Sequence, residues 1–194
     1  MLPNIVLGSS SPSRRDVMDK LSISYEIAHP ETDETSRPQE SALELVKRLS
    51  IDKANCVGKK YRDHLVIGCD QVAELDGEIL GKPHTVENAY AQLKKQSGKE
   101  IVYYSGLCLL NTKTGKHQLS VDETHVKFRE LTDKEIYQYI EIDNPLKCAA
   151  SFKCESKGMF IVDWVRGDDI HALIGLSIVS LSRLLRNEGV NLIG

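Results

Sequence analysis

Asn4-Ile5-Val6-Leu7-Gly8-Ser9-Ser10-Ser11-Pro12-Ser13-Arg14-Arg15 passes from a short apolar run, through a glycine and three serines, into a proline and two arginines. Residues 4–8 read as a strand. The serines supply helix-capping side chains, and Pro12 suits the first helical position, where a missing N–H does no harm. A helix is expected to follow to about residue 21. The first N–H groups of such a helix lack backbone partners and carry partial positive charge. With the serine hydroxyls and Arg14 they form a candidate phosphate cradle. An ordinary serine cap with arginines on a solvated face explains the same residues, and geometry alone leaves both readings open.

Working outward, residues 24–28 read as a second strand and 29–39 as a polar loop with two prolines. Ser41-Ala42-Leu43-Glu44 is a capping box. It opens a helix to about residue 57, with apolar positions Leu45, Val46, Leu49 and Ala54 at helical spacing. Residues 65–75 form a strand, Asp76-Gly77 a hairpin turn and 78–80 the return. Thr85 caps a helix to about residue 97. Two long strands, 101–110 and 117–128, flank the turn at Thr114-Gly115. Thr132-x-x-Glu135 opens a helix to about residue 142. Residues 147–165 are mixed, with a strand near 159–165, and 172–186 read as one final helix ended by Gly189. Helices interspersed with hairpins point to an α/β chain with a mixed sheet.

Composition narrows the function. The chain has 194 residues, 41% hydrophobic and 27% charged, with a net charge of −3. A protein gripping several phosphates of a nucleic acid usually carries a basic excess, so a nucleic-acid reader is not expected. No run of 18 apolar residues exists and the N-terminus lacks the pattern of a signal peptide, so a cytoplasmic protein without membrane partners is expected. Cys56, Cys69, Cys108, Cys148 and Cys154 are irregularly spaced, without a C-x-x-C pair, and read as reduced, mostly buried thiols. The scattered histidines do not make a metal site.

Three further stretches carry chemistry. In Gly68-Cys69-Asp70-Gln71-Val72 a carboxylate interrupts an apolar strand, where burial is costly unless a metal, a cation or hydrogen bonds compensate. Such an aspartate can ligate Mg²⁺ or accept a proton from water; a solvated strand edge is the plainer alternative. Gly77-Glu78-Ile79-Leu80-Gly81-Lys82-Pro83 has three residues between its glycines and proline after the lysine, so it is not a P-loop. Pro83 nevertheless biases Lys82 toward an extended, outward placement. Asp33-Glu34-Thr35 is an acidic loop tip that gains interest only as a second carboxylate beside Asp70. Lys53 taken alone reads as a surface lysine.

In order and spacing, Ser9-Ser10-Ser11-Pro12-Ser13-Arg14-Arg15, Asp33-Glu34-Thr35, Lys53-Ala54, Gly68-Cys69-Asp70-Gln71-Val72, Gly81-Lys82-Pro83, Ala150-Ser151-Phe152 and Gly175-Leu176 resemble the Maf family of nucleotide pyrophosphatases. The resemblance spans almost the whole chain, which it makes a single domain over 1–194. It implies a fold of the inosine-triphosphate-pyrophosphatase type, an elongated mixed sheet with helices in two lobes around a cleft. It also implies hydrolysis between the α- and β-phosphates of a nucleoside triphosphate with Mg²⁺ or Mn²⁺. By motif position Asp70 is the proton acceptor, and Glu34 and Asp70 hold the metal. Ser9, Arg14, Lys53 and Lys82 contact the triphosphate, Lys53 and Lys82 also serving catalysis. A homodimer is implied by the resemblance only.

Three positions sort substrates within the family, here Ser13, Gln71 and Glu155. Gln71 and Glu155 resemble the branch acting on 7-methyl-GTP, the YceF subfamily. Ser13, where that branch often has an aromatic residue, and Ser177, in place of a common proline, depart from it. N7-methylation gives guanine a positive charge, which Glu155 would favour and an aromatic such as Phe152 or Trp164 would stack upon. The alternatives left open are a pyrophosphatase for dTTP and UTP or for several modified nucleotides, and a nucleotide-binding regulator of cell division without relevant turnover.

Overall fold

The computed structural model describes residues 4–193. Seven strands form one mixed sheet: β1 (Asn4–Gly8), β2 (Glu26–Ala28), β3 (His64–Leu75), β4 (Glu78–Leu80), β5 (Glu100–Asn111), β6 (Lys116–Phe128) and β7 (Val162–Arg166). Their order is β2-β1-β3-β5-β6-β7, with β4 paired to β3. β1 runs parallel to both β2 and β3, whereas β4 and β7 pair antiparallel with β3 and β6. The helices are α1 (Pro12–Lys20), α2 (Ala42–Gly58), α3 (Val86–Gln96), α4 (Asp133–Asp143), α5 (Ile170–Ile174) and α6 (Ile178–Asn187). Among the described residues no helix is long and apolar enough to cross a membrane.

The chain divides into two compact units. The first takes the described residues through Asp70, Ser105–Asp122 and the described residues from Asp169 onward; the second takes Gln71–Tyr104 and Glu123–Asp168. In the first unit, strand alternation sorts the core into two faces. Ile5, Leu7, Leu65, Ile67 and Cys69 pack with Val17 and Met18 of α1 and Leu181, Leu184 and Leu185 of α6. Val6 and Val66 point the other way, against Ala54 and Val57 of α2. In the second unit Phe152 packs against Tyr103 and Phe128, with ring centroids 6.0 and 5.2 Å apart.

Local chemistry places most element ends. Ser41 and Thr132 make the two capping boxes with Glu44 and Glu135. Asp76 and Gly77 both have positive φ in the β3–β4 turn, the conformation a two-residue hairpin needs.

Three expectations are corrected. The single helix over 172–186 is two helices. Gly175 sits at φ 110°, a left-handed position that ends α5, and Ser177 caps α6 by accepting the Ser180 N–H at 3.1 Å. Ser177 Oγ also lies 3.1 Å from carboxylate oxygens of both Asp122 and Asp169, so the break is held by tertiary bonds that helical periodicity does not register. The strand near 159–165 begins only at Val162, because residues 157–161 form a 3-10 turn. The strand at 24–28 is likewise shorter, starting at Glu26.

Candidate active site

Alternation along β3 turns Val66, Gly68 and Asp70 toward α2. Gly68 is what lets the helix come close. A Cβ there would meet the Ser50 carbonyl oxygen and stand 2.5 Å from the Ala54 nitrogen. Through this contact Lys53 reaches Asp70, its Nζ donating to Oδ1 at 2.6 Å. Both side chains are buried, 7% and 9% exposed. Burial pushes the Asp70 carboxyl above the ordinary aspartate range, while Lys53 and Arg14 pull it back. Lys53 was unremarkable in the sequence, yet it stands at helical spacing with Val46, Leu49, Ser50 and Val57, all buried. That stripe is the signal that marks it as an inward lysine.

The acidic loop completes this centre. Glu34 Oε1 lies 2.6 Å from the same Lys53 Nζ, with its side chain 48% exposed. Two carboxylates therefore converge on one ammonium, one from a buried strand and one from a loop open to solvent.

β1 pairs with β3 in parallel and ends at Gly8 opposite Gly68, so the serine turn leaves the sheet beside the part of β3 that carries Asp70. Ser11 caps α1, as the sequence suggested, and Ser9 is buried. Arg14 is less a free arm than a strut. Its Nε donates to the Gly175 carbonyl at 2.9 Å, and its Nη1 donates to the Cys69 carbonyl at 2.9 Å and to Ser9 Oγ at 3.2 Å. The guanidinium thus ties together the serine turn, the residue before Asp70 and the α5–α6 break. This role of Gly175 was invisible in the local sequence, since it depends on a contact 161 residues away.

Ser9, Arg14, Glu34, Lys53 and Asp70 all belong to the first unit, with half-buried Ser13 beside Arg14 on α1. Gln71, Lys82 and Glu155 belong to the second. There Lys82 is exposed, as Pro83 suggested, and its neighbours are pinned. The Gly81 carbonyl accepts from the Ala150 N–H and from Gln92 Nε2, both at 3.1 Å, and the Pro83 carbonyl accepts from Asn88 Nδ2 at 3.0 Å. Glu155 is exposed and Gln71 half-buried. Phe152 does not serve as a stacking surface: it is 6% exposed and enclosed by Tyr103 and Phe128. Trp164 is half-buried, with the Arg166 guanidinium 4.2 Å from its ring centroid.

Residues 4–188 match the family described as Maf-like protein. The chain belongs to the Maf family. A Maf relative from Pseudomonas aeruginosa named 7-methyl-GTP pyrophosphatase is 44% identical over 98% of this chain and 100% of its own length. Among solved structures, the Maf chain resembles the Ham1 protein of Staphylococcus aureus at a TM-score of 0.54 and 16% identity, covering 95% of this chain and 99% of that one. It also resembles a HAM1 protein from Coxiella burnetii at 0.54 and 15%, covering 96% and 100%. These two likenesses concern the fold, which is the mixed α/β fold expected from the sequence.

The cysteines of this Maf protein are free thiols, with Cys69, Cys108 and Cys154 buried. No cluster of three or more His, Cys, Asp or Glu side chains is assembled for a metal among the described residues. The pair Glu34 and Asp70 still suits a hard divalent cation. Lys53 already holds positive charge between them, and Mg²⁺ commonly binds through one or two carboxylates plus substrate phosphates and water. Two open surface depressions border the acidic loop, one lined by Arg37, Glu40, Arg48 and Ile51 and the other by Glu31, Asp33, Arg48 and Cys56; neither is lined by Asp70 or Lys53.

Proposed function

We propose that this Maf protein hydrolyses 7-methyl-GTP to 7-methyl-GMP and diphosphate. The observation that carries the chemistry is the buried Asp70 carboxylate, held by Lys53 and accompanied by Glu34. The 44% identity to a protein named for this substrate supports the choice of nucleotide. The family match runs through both compact units, and we read 1–194 as one functional domain.

Asp70 is the proton acceptor. One of its oxygens is engaged by Lys53, leaving the second to take a proton from water attacking the α-phosphorus. An upward-shifted carboxyl is a better base than an ordinary aspartate. The bond between the α-phosphorus and the bridging oxygen breaks, and diphosphate leaves. Glu34 and Asp70 are the residues that would hold a divalent cation, Mg²⁺ or Mn²⁺, which supplies charge neutralisation and acidifies water. A triphosphate carries about four negative charges at neutral pH, part of which Lys53 and Arg14 of the first unit would balance within a mildly acidic chain. Arg14 positions the Ser9 turn through its bond to Ser9 Oγ and presents its remaining donors to phosphate. The parts of Lys82, and of Ser13, Gln71 and Glu155 in base selection, rest on family membership.

The test is diphosphate release from 7-methyl-GTP, GTP, dTTP, UTP, CTP and ITP with Mg²⁺ or Mn²⁺. Release is expected to be fastest from 7-methyl-GTP and to fall about 10³-fold in Asp70→Asn. Preference for dTTP or UTP would overturn the substrate while keeping the chemistry. Orthophosphate release, or binding without turnover, would overturn the chemistry.

A further inference from the structure

Glu34 presents a difficulty for a metal ligand. It sits on a stretch from residue 29 to 41 without helix or strand, and a carboxylate on a slack loop binds a cation weakly because ordering the loop costs conformational entropy. The structure removes that slack with residues of α2 and of the loop itself. Arg48 Nε donates to Glu40 Oε1 at 2.6 Å and its Nη2 to Glu40 Oε2 at 2.8 Å, a two-bond, fork-like pair. The same Nη2 donates to the Thr35 carbonyl at 3.0 Å, one residue beyond Glu34. Arg48 Nη1 lies 3.5 Å from Asp52, one turn further along α2.

Glu40 works in both directions. While gripped by Arg48 it accepts the Arg37 N–H at 2.9 Å, closing the turn at 37–40. On the other flank of Glu34, Asp33 Oδ1 accepts the Thr35 N–H at 2.9 Å. Further back, Cys56 of α2 donates its Sγ–H to the Glu31 carbonyl at 3.4 Å. The Arg48 and Glu40 side chains are 15% and 9% exposed, so they pack closely even though both line an open surface depression.

We propose that Arg48 and Glu40 form a clamp that positions Glu34 over Asp70, making both of them positioning residues for the divalent-cation site. The proposal rests on the reading of Glu34 as a metal ligand. Neither side chain touches Lys53 or Asp70 in this arrangement; their effect passes through the Thr35 carbonyl and the 37–40 turn. Arg48, three residues N-terminal to Ile51 and five to Lys53 on one helix, thereby couples the acidic loop to the same helix that delivers the lysine.

The test measures Mn²⁺ binding to the whole protein by the paramagnetic resonance signal of free Mn²⁺, in wild type, Arg48→Met, Glu34→Gln and the double variant. Glu40→Gln, which keeps Arg48 and its bond to Thr35, is the second route if Arg48→Met does not fold. Removing a residue that orients a metal ligand commonly weakens metal binding about 10- to 100-fold. Arg48→Met is expected to weaken Mn²⁺ binding about tenfold, Glu40→Gln in the same direction, and Arg48→Lys less than Arg48→Met. In the Glu34→Gln background the Arg48 change is expected to cost nothing further, because there is no ligand left to position. Hydrogen exchange at residues 31–37 is expected to quicken in Arg48→Met while that of β3 does not. Full additivity in the double variant, or unchanged Mn²⁺ binding in both clamp variants while Glu34→Gln weakens it, overturns the clamp alone. Unchanged binding in Glu34→Gln overturns the metal-ligand reading and the clamp with it.

Discussion

The two compact units treat their charges in opposite ways. In the first, Lys53 and Asp70 meet at 2.6 Å with less than a tenth of either side chain exposed. In the second, Lys94 pairs with Asp133 and Lys99 with Asp76 through side chains that are about half exposed or more, and His125 stands between Glu100 and Glu123. Surface pairs of this kind add little to stability. A buried pair gives up the hydration of two ions, a cost that fits the catalytic role proposed for Asp70 on β3. The proposed chemistry lies where charge is hidden, whereas Glu155, proposed for base selection, is exposed.

The contrast is broken most severely by Lys53→Met. Removing one partner leaves Asp70 buried without its cation, and the expected loss is roughly 3 kcal/mol, or about 10 °C in Tm for a chain of this length. The loss is expected to shrink as pH falls, because Asp70 then neutralises by taking a proton. Calorimetry across pH measures both effects, and a deficit that does not vary with pH would remove Asp70 as its origin.

Asp70→Asn sharpens the contrast in the other direction. The folded state holds the Asp70 carboxyl above its unfolded value, and burial is the main cause. Such a group favours folding in its protonated form, fully so below the unfolded pKa of about 3.9, and that advantage is lost as pH rises through the folded value. The neutral asparagine escapes this loss. The Tm of Asp70→Asn relative to wild type is therefore expected to rise between pH 4 and pH 8, even as activity disappears. A falling difference over that range would reverse the sign assigned to Asp70.

The smallest effect belongs to the second unit. Glu155 is exposed, and its Oε2 accepts from the Cys154 thiol at 3.8 Å. Glu155→Gln is expected to leave Tm unchanged and to lower the preference for 7-methyl-GTP over GTP by roughly threefold, the range of an exposed charge acting on a cationic ring. Equal kcat/KM ratios for the two nucleotides before and after the change would sever Glu155 from base recognition. Phe152 contributes to the core and not to stacking.

Much of this was legible in the chain itself. Both capping boxes, the Asp76-Gly77 hairpin, the Pro12 helix start and the alternation of β3 depend on neighbours a few residues apart, so local sterics and hydrogen bonding decide them. Asp70 was conspicuous as a carboxylate in an apolar strand. What local chemistry does not carry is a partner far along the chain. The helix break at Gly175–Ser177 is held by Asp122 and Asp169, and helical periodicity runs across it unaware. Phe152 stands between Ser151 and Lys153, and its contacts with Tyr103 and Phe128 reveal it as core.

By itself, then, the sequence determined the order of elements, the family and the residue types available for phosphate chemistry, because propensity, capping and motif spacing are short-range properties. The tertiary structure alone decided that Glu34 and Asp70 share Lys53, and that Arg14 and Arg48 act as struts to the Gly175 and Thr35 carbonyls. Those assignments turn on a helix pressed against Gly68 with no Cβ to hold it off, and on the need of buried charge to find a partner wherever the fold brings one within reach.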